Sequence, residues 1–264
     1  MRVRIPRGAS VRRVPTIERG GVHLYYEDIG DGLPVVLHTG GAGSSEMWRA
    51  GGYVERLAGF RAILFDHRGR GHSDRPTDPA AHKVSEFVED VVALTDHLAL
   101  ERYGFFGYSF GGLVGLELAA RDPRVVGLVV LGTVFDPPDV EPTASVYDGP
   151  GRTGGMEAVV AAMERDERLV LPAWLRDEFL ETDPRQFMLT IEANASHPDP
   201  WGALQAIRAR TVLIAGTEED PNDDQTPMAE RIPGARSVHI AGVAHVGAFL
   251  RPDDVVAAAL PTLL

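Results

Sequence analysis

The sequence contains no cysteine and a single lysine, Lys83. Without cysteine the chain has no disulfide framework, no cysteine-ligated zinc or iron–sulfur centre and no cysteine nucleophile. A phosphate-binding P-loop needs a glycine before its lysine and a serine or threonine after it, and Lys83 has neither. No G-x-G-x-x-G pattern stands between a predicted strand and a helix either. We therefore expect no nucleotide and no other cofactor.

Long apolar runs are also absent. Residues 1–20 carry six arginines against Glu18, with no apolar stretch behind them, so we expect neither a secretory signal nor a membrane span. We interpret these residues as a basic N-terminal extension rather than a docking arm. The whole chain has 26 basic and 38 acidic side chains, a net charge of −12 that repels a phosphate backbone. The sequence thus predicts a cytoplasmic protein that binds neither nucleic acid nor a membrane; a homo-oligomer stays open.

Short apolar runs alternate with helical patterns along most of the chain. This alternation is typical of an α/β fold, in which a mostly parallel sheet of about eight strands carries helices on both faces. Helical stripes are predicted over residues 85–98, 110–121 and 253–260. The strand candidates are residues 22–28, 35–39, 62–66, 103–108, 125–132, 211–215 and 237–240.

Residues 136–208 interrupt the alternation. They begin with a segment rich in proline and glycine, and then predict three helices at about residues 155–167, 172–181 and 184–195. Such a length is too great for a plain loop, so we predict an inserted helical cap between two core parts, residues 21–135 and 209–264. The cap would roof a pocket for an apolar acyl or lactone group. The pocket candidates are Trp48, which fits the core equally well, Phe135, Trp174, Met188 and Trp201.

Residues 107–112, Gly-Tyr-Ser-Phe-Gly-Gly, follow a predicted strand and begin a predicted helix. This is the context of the nucleophile elbow G-x-S-x-G, which presents a serine hydroxyl at the carboxyl edge of a sheet. Side chains at positions 107 and 111 would collide with the flanking strand and helix. Ser109 is therefore the candidate nucleophile.

A serine nucleophile needs a histidine to accept its proton and a carboxylate to orient that histidine. His245 follows the last predicted strand and precedes the last helix, at the same sheet edge as Ser109. Asp220, in the loop after the strand at 211–215, is the first choice for the acid, because the proline after it favours a turn. Glu219 in the same loop and Asp136 after the preceding strand remain alternatives.

The negative charge that forms on an attacked carbonyl oxygen needs preorganised N–H donors. Residues 38–45 form a glycine-rich loop directly after a central strand. We predict that the N–H groups of Gly40 and Phe110 form this oxyanion hole.

Two patterns suggest metal ligands without completing a site. The acidic stretch that begins at Asp220 lacks the glycine and the final glutamate of a calcium loop. His197 and Asp199 are adjacent to a proline but belong to no larger ligand cluster. We expect no metal.

The sequence resembles the α/β-hydrolase fold superfamily, in its capped members, over residues 22–260. Besides the elbow, residues 66–74 are similar to the family segment D-x-R-G-x-G-x-S, which is structural there. The resemblance implies Ser109 as nucleophile, Asp220 as acid, His245 as base, and Gly40 with Phe110 as the oxyanion hole.

Departures narrow the choice within the superfamily. Dehalogenase-like and epoxide-hydrolase-like members have aspartate at the position of Ser109, carbon–carbon bond hydrolases have tryptophan at that of Val246, and perhydrolases have methionine at that of Phe110. Proline iminopeptidases have H-G-G-P-G, which Thr39 and Ala42 interrupt. The remaining resemblance is to small-ester and lactone hydrolases such as the enol-lactonases.

The resulting hypothesis is a cofactor-independent serine hydrolase that cleaves a small carboxylic ester or lactone through an acyl-enzyme. One alternative is a non-hydrolytic protein of the same fold, either a small-molecule cyclase or lyase or a ligand receptor. An amidase or aminopeptidase is the other.

Overall fold

The structure is a computed structural model that describes residues 15–133, 147–195, 197, 201–218 and 225–264. Phe135, Asp136, Glu219 and Asp220 lie outside the described residues. No helix in the described part of the chain combines the length and apolar character that crossing a membrane requires.

Eight strands form one sheet in the order β1-β2-β4-β3-β5-β6-β7-β8. Strands β3 to β8 are parallel, whereas β1 and β2 are antiparallel to their neighbours. The prediction of a mostly parallel sheet of about eight strands is confirmed. The strands are β1 (Thr16–Arg19), β2 (Val22–Ile29), β3 (Leu33–His38), β4 (Phe60–Phe65), β5 (Tyr103–Tyr108), β6 (Val125–Leu131), β7 (Arg210–Gly216) and β8 (Arg236–Ile240).

Strand β1 differs from the predicted extension over residues 1–20. Residues 16–19 pair with β2, and Ile17 is buried. Arg19 donates to the carboxylates of Asp90 and Glu86, at 2.6 Å each. Part of the basic segment is therefore built into the sheet, because these contacts give its last arginine two carboxylate partners.

Helices cover both faces of the sheet. They are α1 (Glu46–Ala50), α2 (Tyr53–Arg56), α3 (Val84–His97), α4 (Phe110–Arg121), α5 (Asp148–Asp166, kinked at Gly155), α6 (Ala173–Glu181), α7 (Pro184–Ala195), α8 (Trp201–Leu204), α9 (Thr226–Arg231), α10 (His245–Phe249) and α11 (Pro252–Leu263), with a 3-10 helix at Pro79–His82. Successive strand residues point to opposite faces, so Val129 and Leu131 lie in one apolar cluster and Leu128 and Val130 in another. We call the first cluster the front core and the second the back core.

The inserted helices α5, α6 and α7 belong to the front core, through Val159, Leu175 and Phe187. Helix α8 is not part of the front core, because it packs against α4 and α9 in the back core. The guanidinium of Arg231 lies 4.7 Å above the ring of Trp201 there. This position does not fit the prediction that Trp201 lines a pocket under the cap, since Trp201 lies on the other face of the sheet.

Trp48, another pocket candidate, lies among buried aromatic rings. Its side chain is 0% exposed, in a cluster of aromatic rings with Tyr53, Phe106 and Phe249. The ring centroids lie 5.0, 5.1 and 5.5 Å from that of Trp48, distances typical of edge-to-face packing. Of the two interpretations of Trp48, the structure therefore favours the core.

Replacing Trp48 with alanine should lower the free energy of unfolding by about 3–5 kcal/mol, because it leaves a cavity among these rings. Chemical denaturation followed by circular dichroism measures the change. The matched variant Trp174→Ala, on the half-buried face of α6, should cost less than half as much. Equal losses for the two variants would contradict a core role that is special to Trp48.

Candidate active site

Ser109 stands at the turn between β5 and α4 with φ 53° and ψ −119°. Positive φ is unfavourable for a residue with a side chain, by about 1–3 kcal/mol. The backbone on both sides holds this conformation: Ser109 N–H donates to the Leu131 carbonyl at 2.8 Å, and the Thr133 hydroxyl donates to the Ser109 carbonyl at 2.6 Å. The side chain is half-buried at the carboxyl edge of the sheet.

The glycines around Ser109 are needed for space. A Cβ at Gly107 would overlap the Gly111 carbonyl, and a Cβ at Gly111 would overlap the carbonyl oxygen of His38. The helix consequently begins directly beneath β3 and β5. These contacts are the collisions that the sequence pattern predicts for side chains at the two positions.

His245 is the first residue of α10, in the segment that follows β8. Its ring stacks on Tyr108, with centroids 5.1 Å apart, and Tyr108 immediately precedes Ser109. Gly132, at φ +64°, directly follows β6 and lies so close to the imidazole that a Cβ there would be 2.7 Å from Nδ1. The fold thus brings Ser109 and His245 to the same edge of the sheet, as predicted from their places after β5 and β8.

The electrostatics of His245 suit a proton acceptor. Burial of the ring lowers the pKa of His245 to about 4, which leaves the imidazole neutral at pH 7. A neutral ring is the form that can accept the proton of a serine hydroxyl.

A carboxylate from the inserted helices holds the segment that carries His245. Glu167, directly after α5, accepts hydrogen bonds from the N–H groups of Val246 at 2.9 Å and of Gly247 at 3.0 Å. Burial raises the pKa of Glu167, while these two backbone donors act in the opposite direction. Sequence reasoning missed this contact, since the two partners are far apart along the chain.

The last described residues before two of the acid candidates contact the segment that precedes His245. After β7, Thr217 N–H donates to the Ile240 carbonyl and Glu218 N–H donates to the Val243 carbonyl, at 3.0 Å each. Gly242 N–H in turn donates to the Thr217 hydroxyl at 2.9 Å. The chain therefore enters residues 219–224 next to the segment before His245. The role of Asp220 remains a prediction, as do the alternatives.

The predicted oxyanion loop lies against Ser109. A Cβ at Gly40 would lie 3.1 Å from the Ser109 Cβ, so a side chain here would crowd Ser109. The Thr39 carbonyl oxygen is 2.8 Å from His38 Nδ1, and the Gly40 N–H of the same peptide points away from that ring. Phe110, the other predicted donor, carries the first N–H of α4, which has no partner within its own helix.

A further N–H in the same loop belongs to Gly41. The carbonyl of its peptide, that of Gly40, faces His67 Nε2 at 3.1 Å. The rings of His38 and His67 stack with centroids 4.8 Å apart, and burial lowers the pKa of both. A neutral His67 has one N–H to share between the carbonyls of Gly40 and Arg68. The sequence shows His67 within its motif but gives no sign that it faces this loop.

The pocket candidates divide by position. Trp174 and Met188 are half-buried on α6 and α7 and pack against the front core. Phe187 and Thr190 are nearer to the oxyanion loop, each with an atom 3.7 Å from where a Cβ on Gly41 would lie. Their spacing of three residues places them on one face of α7, a signal that the sequence carries without indicating which face turns inward.

Among the described residues, no group of three or more histidine, aspartate or glutamate side chains is arranged to hold a metal ion.

Comparisons with known proteins agree with this architecture. The sequence model of the family described as alpha/beta hydrolase fold matches residues 34–181, more than half of the chain. The relatives include bacterial proteins that carry the name carbamate hydrolase RutD. The protein of Azorhizobium caulinodans is 28% identical over 91% of this chain and 94% of its own. That of Agrobacterium fabrum is 34% identical over 83% of this chain and 88% of its own.

A solved structure extends the likeness to three dimensions. The enol-lactonase of Burkholderia xenovorans LB400 has a TM-score of 0.80 and 28% sequence identity, and the match covers 94% of this chain and 99% of the enol-lactonase. The similarity therefore includes the inserted helices as well as the sheet.

The pH dependence of kcat/KM identifies the acid. As the predicted base, His245 has to be neutral to accept a proton. We therefore expect activity to fall as the pH drops through the pKa of His245, which burial alone places at about 4. A carboxylate hydrogen-bonded to the ring raises that pKa. Among Asp220→Asn, Glu219→Gln and Asp136→Asn, the variant that removes the true acid should shift the acid limb downward and reduce kcat roughly 10⁴-fold.

The other two variants act as controls and should keep both the acid limb and kcat. If all three variants left the limb in place, none of these carboxylates would orient His245.

Proposed function

Because the chain belongs to the α/β-hydrolase fold family, we propose that it is a serine hydrolase that uses no cofactor and cleaves a small carboxylic ester or lactone through an acyl-enzyme. The observation that carries the proposal is the strained backbone of Ser109, next to the ring stack of Tyr108 and His245. Strain of this kind is retained where a side chain must be presented in one position.

The proposed reaction has two halves. The Ser109 Oγ attacks the carbonyl carbon while His245 takes the hydroxyl proton, and the carbonyl electron pair moves to the oxygen held by the Gly40 and Phe110 N–H groups. Collapse restores the carbonyl and expels the alcohol, which receives the proton from His245. Water then attacks the acyl group in the same way and releases the acid and Ser109.

The class of substrate follows from the surroundings of Ser109 and from the relatives. Apolar side chains of the inserted helices, Phe187 above all, lie by the oxyanion loop and favour an apolar acyl group. The names of the relatives describe hydrolysis of a carbamate and of an enol lactone, both of which are attacked at an acyl carbon. These names support cleavage of an ester-like bond.

The variant Ser109→Ala should lose turnover of short p-nitrophenyl esters by roughly 10⁴-fold or more, because it removes the nucleophile. It should also lose covalent labelling by a fluorophosphonate probe, read by mass spectrometry of the intact protein. The control Ser237→Ala, in β8 away from the carboxyl edge, should keep both properties. Labelling of the Ser109→Ala variant would contradict the assignment.

A substrate panel separates the proposed hydrolase from the other activities of its fold. Purified protein should turn over esters and lactones faster than matched amides and aminoacyl anilides. An aminoacyl anilide carries a cationic amino group that the enzyme has to recognise, whereas an ester or a lactone carries none. Carbamates belong in the same panel. Stoichiometric binding of these compounds without product would instead support a receptor, and preferred cleavage of aminoacyl anilides would support a peptidase.

A further inference from the structure

Arg70 is a buried cation without a hydrogen-bonded carboxylate among the described residues. Its side chain is 1% exposed, in the turn that follows β4. The guanidinium donates to the Gly41 carbonyl from both Nε, at 3.0 Å, and a terminal nitrogen. It also donates to the Gly69 carbonyl at 2.9 Å, the Thr190 hydroxyl at 3.0 Å and, at 3.4 Å, the Gln186 carbonyl.

Arg68, two residues earlier, is a buried arginine whose charge is compensated by a carboxylate. It is 2% exposed, and its guanidinium makes two hydrogen bonds of 2.6 Å to the Asp90 carboxylate. A buried charge that lacks such a partner is costly. Burial lowers the pKa of Arg70 to about 9, opposed by the more distant charge of Asp183, so Arg70 is still positive at neutral pH.

The position of Arg70 relates this charge to the oxyanion loop. Gly41, whose carbonyl it holds, is adjacent to Gly40 at the nucleophile. Helix α7 closes the other side through Thr190 and Gln186. Arg70 is thus enclosed between the loop and an inserted helix, where low dielectric makes its field strong.

We infer that Arg70 is a positioning residue of the oxyanion hole: it fixes the Gly40–Gly41 loop, and its positive charge stabilises the negative charge that forms on the substrate carbonyl oxygen. The inference rests on the proposed function. When Ser109 attacks, its proton moves to His245 and an electron pair moves to the carbonyl oxygen. Arg70 exchanges no proton and forms no bond to substrate. The neutral ground state gains little from this charge, whereas the anionic intermediate gains much.

The test compares Arg70→Gln with the matched control Arg68→Gln, which also removes a buried arginine of this segment. Turnover of p-nitrophenyl butyrate is measured together with inhibition by an aryl trifluoromethyl ketone, which adds to the serine as an anionic adduct, and by its methyl ketone analogue. For Arg70→Gln we expect kcat to fall roughly 100-fold with KM within about 3-fold of its original value. The preference for the trifluoromethyl ketone over the methyl ketone should fall by a similar factor.

The variant Arg70→Lys keeps a positive charge and should regain most of that preference. The same variant tests the inference if Arg70→Gln fails to fold. A lysine ammonium cannot make the two hydrogen bonds that the Arg70 guanidinium makes to the Gly41 carbonyl. In Arg70→Lys, kcat and the affinity for the trifluoromethyl ketone should therefore fall together, by less than 100-fold. Arg68→Gln should lower the melting temperature and leave the ketone preference unchanged.

An unchanged ketone preference in Arg70→Gln, in a protein that still turns over the ester, would contradict the inference alone. Where Arg70→Gln does not fold, an unchanged kcat and an unchanged affinity for the trifluoromethyl ketone in Arg70→Lys would contradict it. Absence of Ser109-dependent turnover and labelling in the unsubstituted protein would contradict the proposed function, and the inference with it.

Discussion

The active-site architecture depends on one local constraint, the positive φ of Ser109 between a buried strand and a buried helix. The turn is possible because Gly107 and Gly111 pass each other, and pass the end of β3, at distances that leave no room for a Cβ. Hydrogen bonds to Leu131 and Thr133 then fix the same turn against β6 and the residues after it. Every other element of the site is placed relative to this turn: the oxyanion loop after β3 on one side, and the His245 segment after β8 on the other.

The position of the oxyanion loop also depends on polar side chains that are buried behind it. The carbonyls of Thr39, Gly40 and Gly41 face His38, His67 and Arg70, three side chains that are almost fully buried. A carbonyl directed toward a buried side chain turns the N–H of its own peptide the other way, away from that side chain. Burying these polar side chains is unfavourable in itself, and their contacts with the loop carbonyls explain why they are buried at this position. The inserted helices add to it, since Glu178 of α6 accepts hydrogen bonds from the N–H and hydroxyl of Ser44 at 2.9 Å each.

The parts of this fold that could be predicted from sequence are those with strong local patterns. Strands buried on both faces, the glycine-flanked serine and the helices at 110–121 and 184–195 have such patterns, and the sheet that follows from them is confirmed. Strand β1 was not predicted, because a short segment among many arginines has no apolar run. Trp48 and Trp201 illustrate another limit: an apolar side chain is equally suited to a core and a pocket. Only the folded structure shows that aromatic rings enclose Trp48 and that Trp201 lies on the other face of the sheet. The contacts of Arg70 and Glu167 join distant segments and leave no local signal. The acid remains a prediction with three candidates, Asp220, Glu219 and Asp136.

The most direct test of the central claim is a crystal structure of the protein after reaction with a small fluorophosphonate. Continuous electron density from the Ser109 Oγ to phosphorus is expected, with the phosphoryl oxygen within hydrogen-bond distance of the N–H groups of Phe110 and of the Gly40–Gly41 loop. An adduct on another residue, or a phosphoryl oxygen directed away from both sets of N–H groups, would contradict the account.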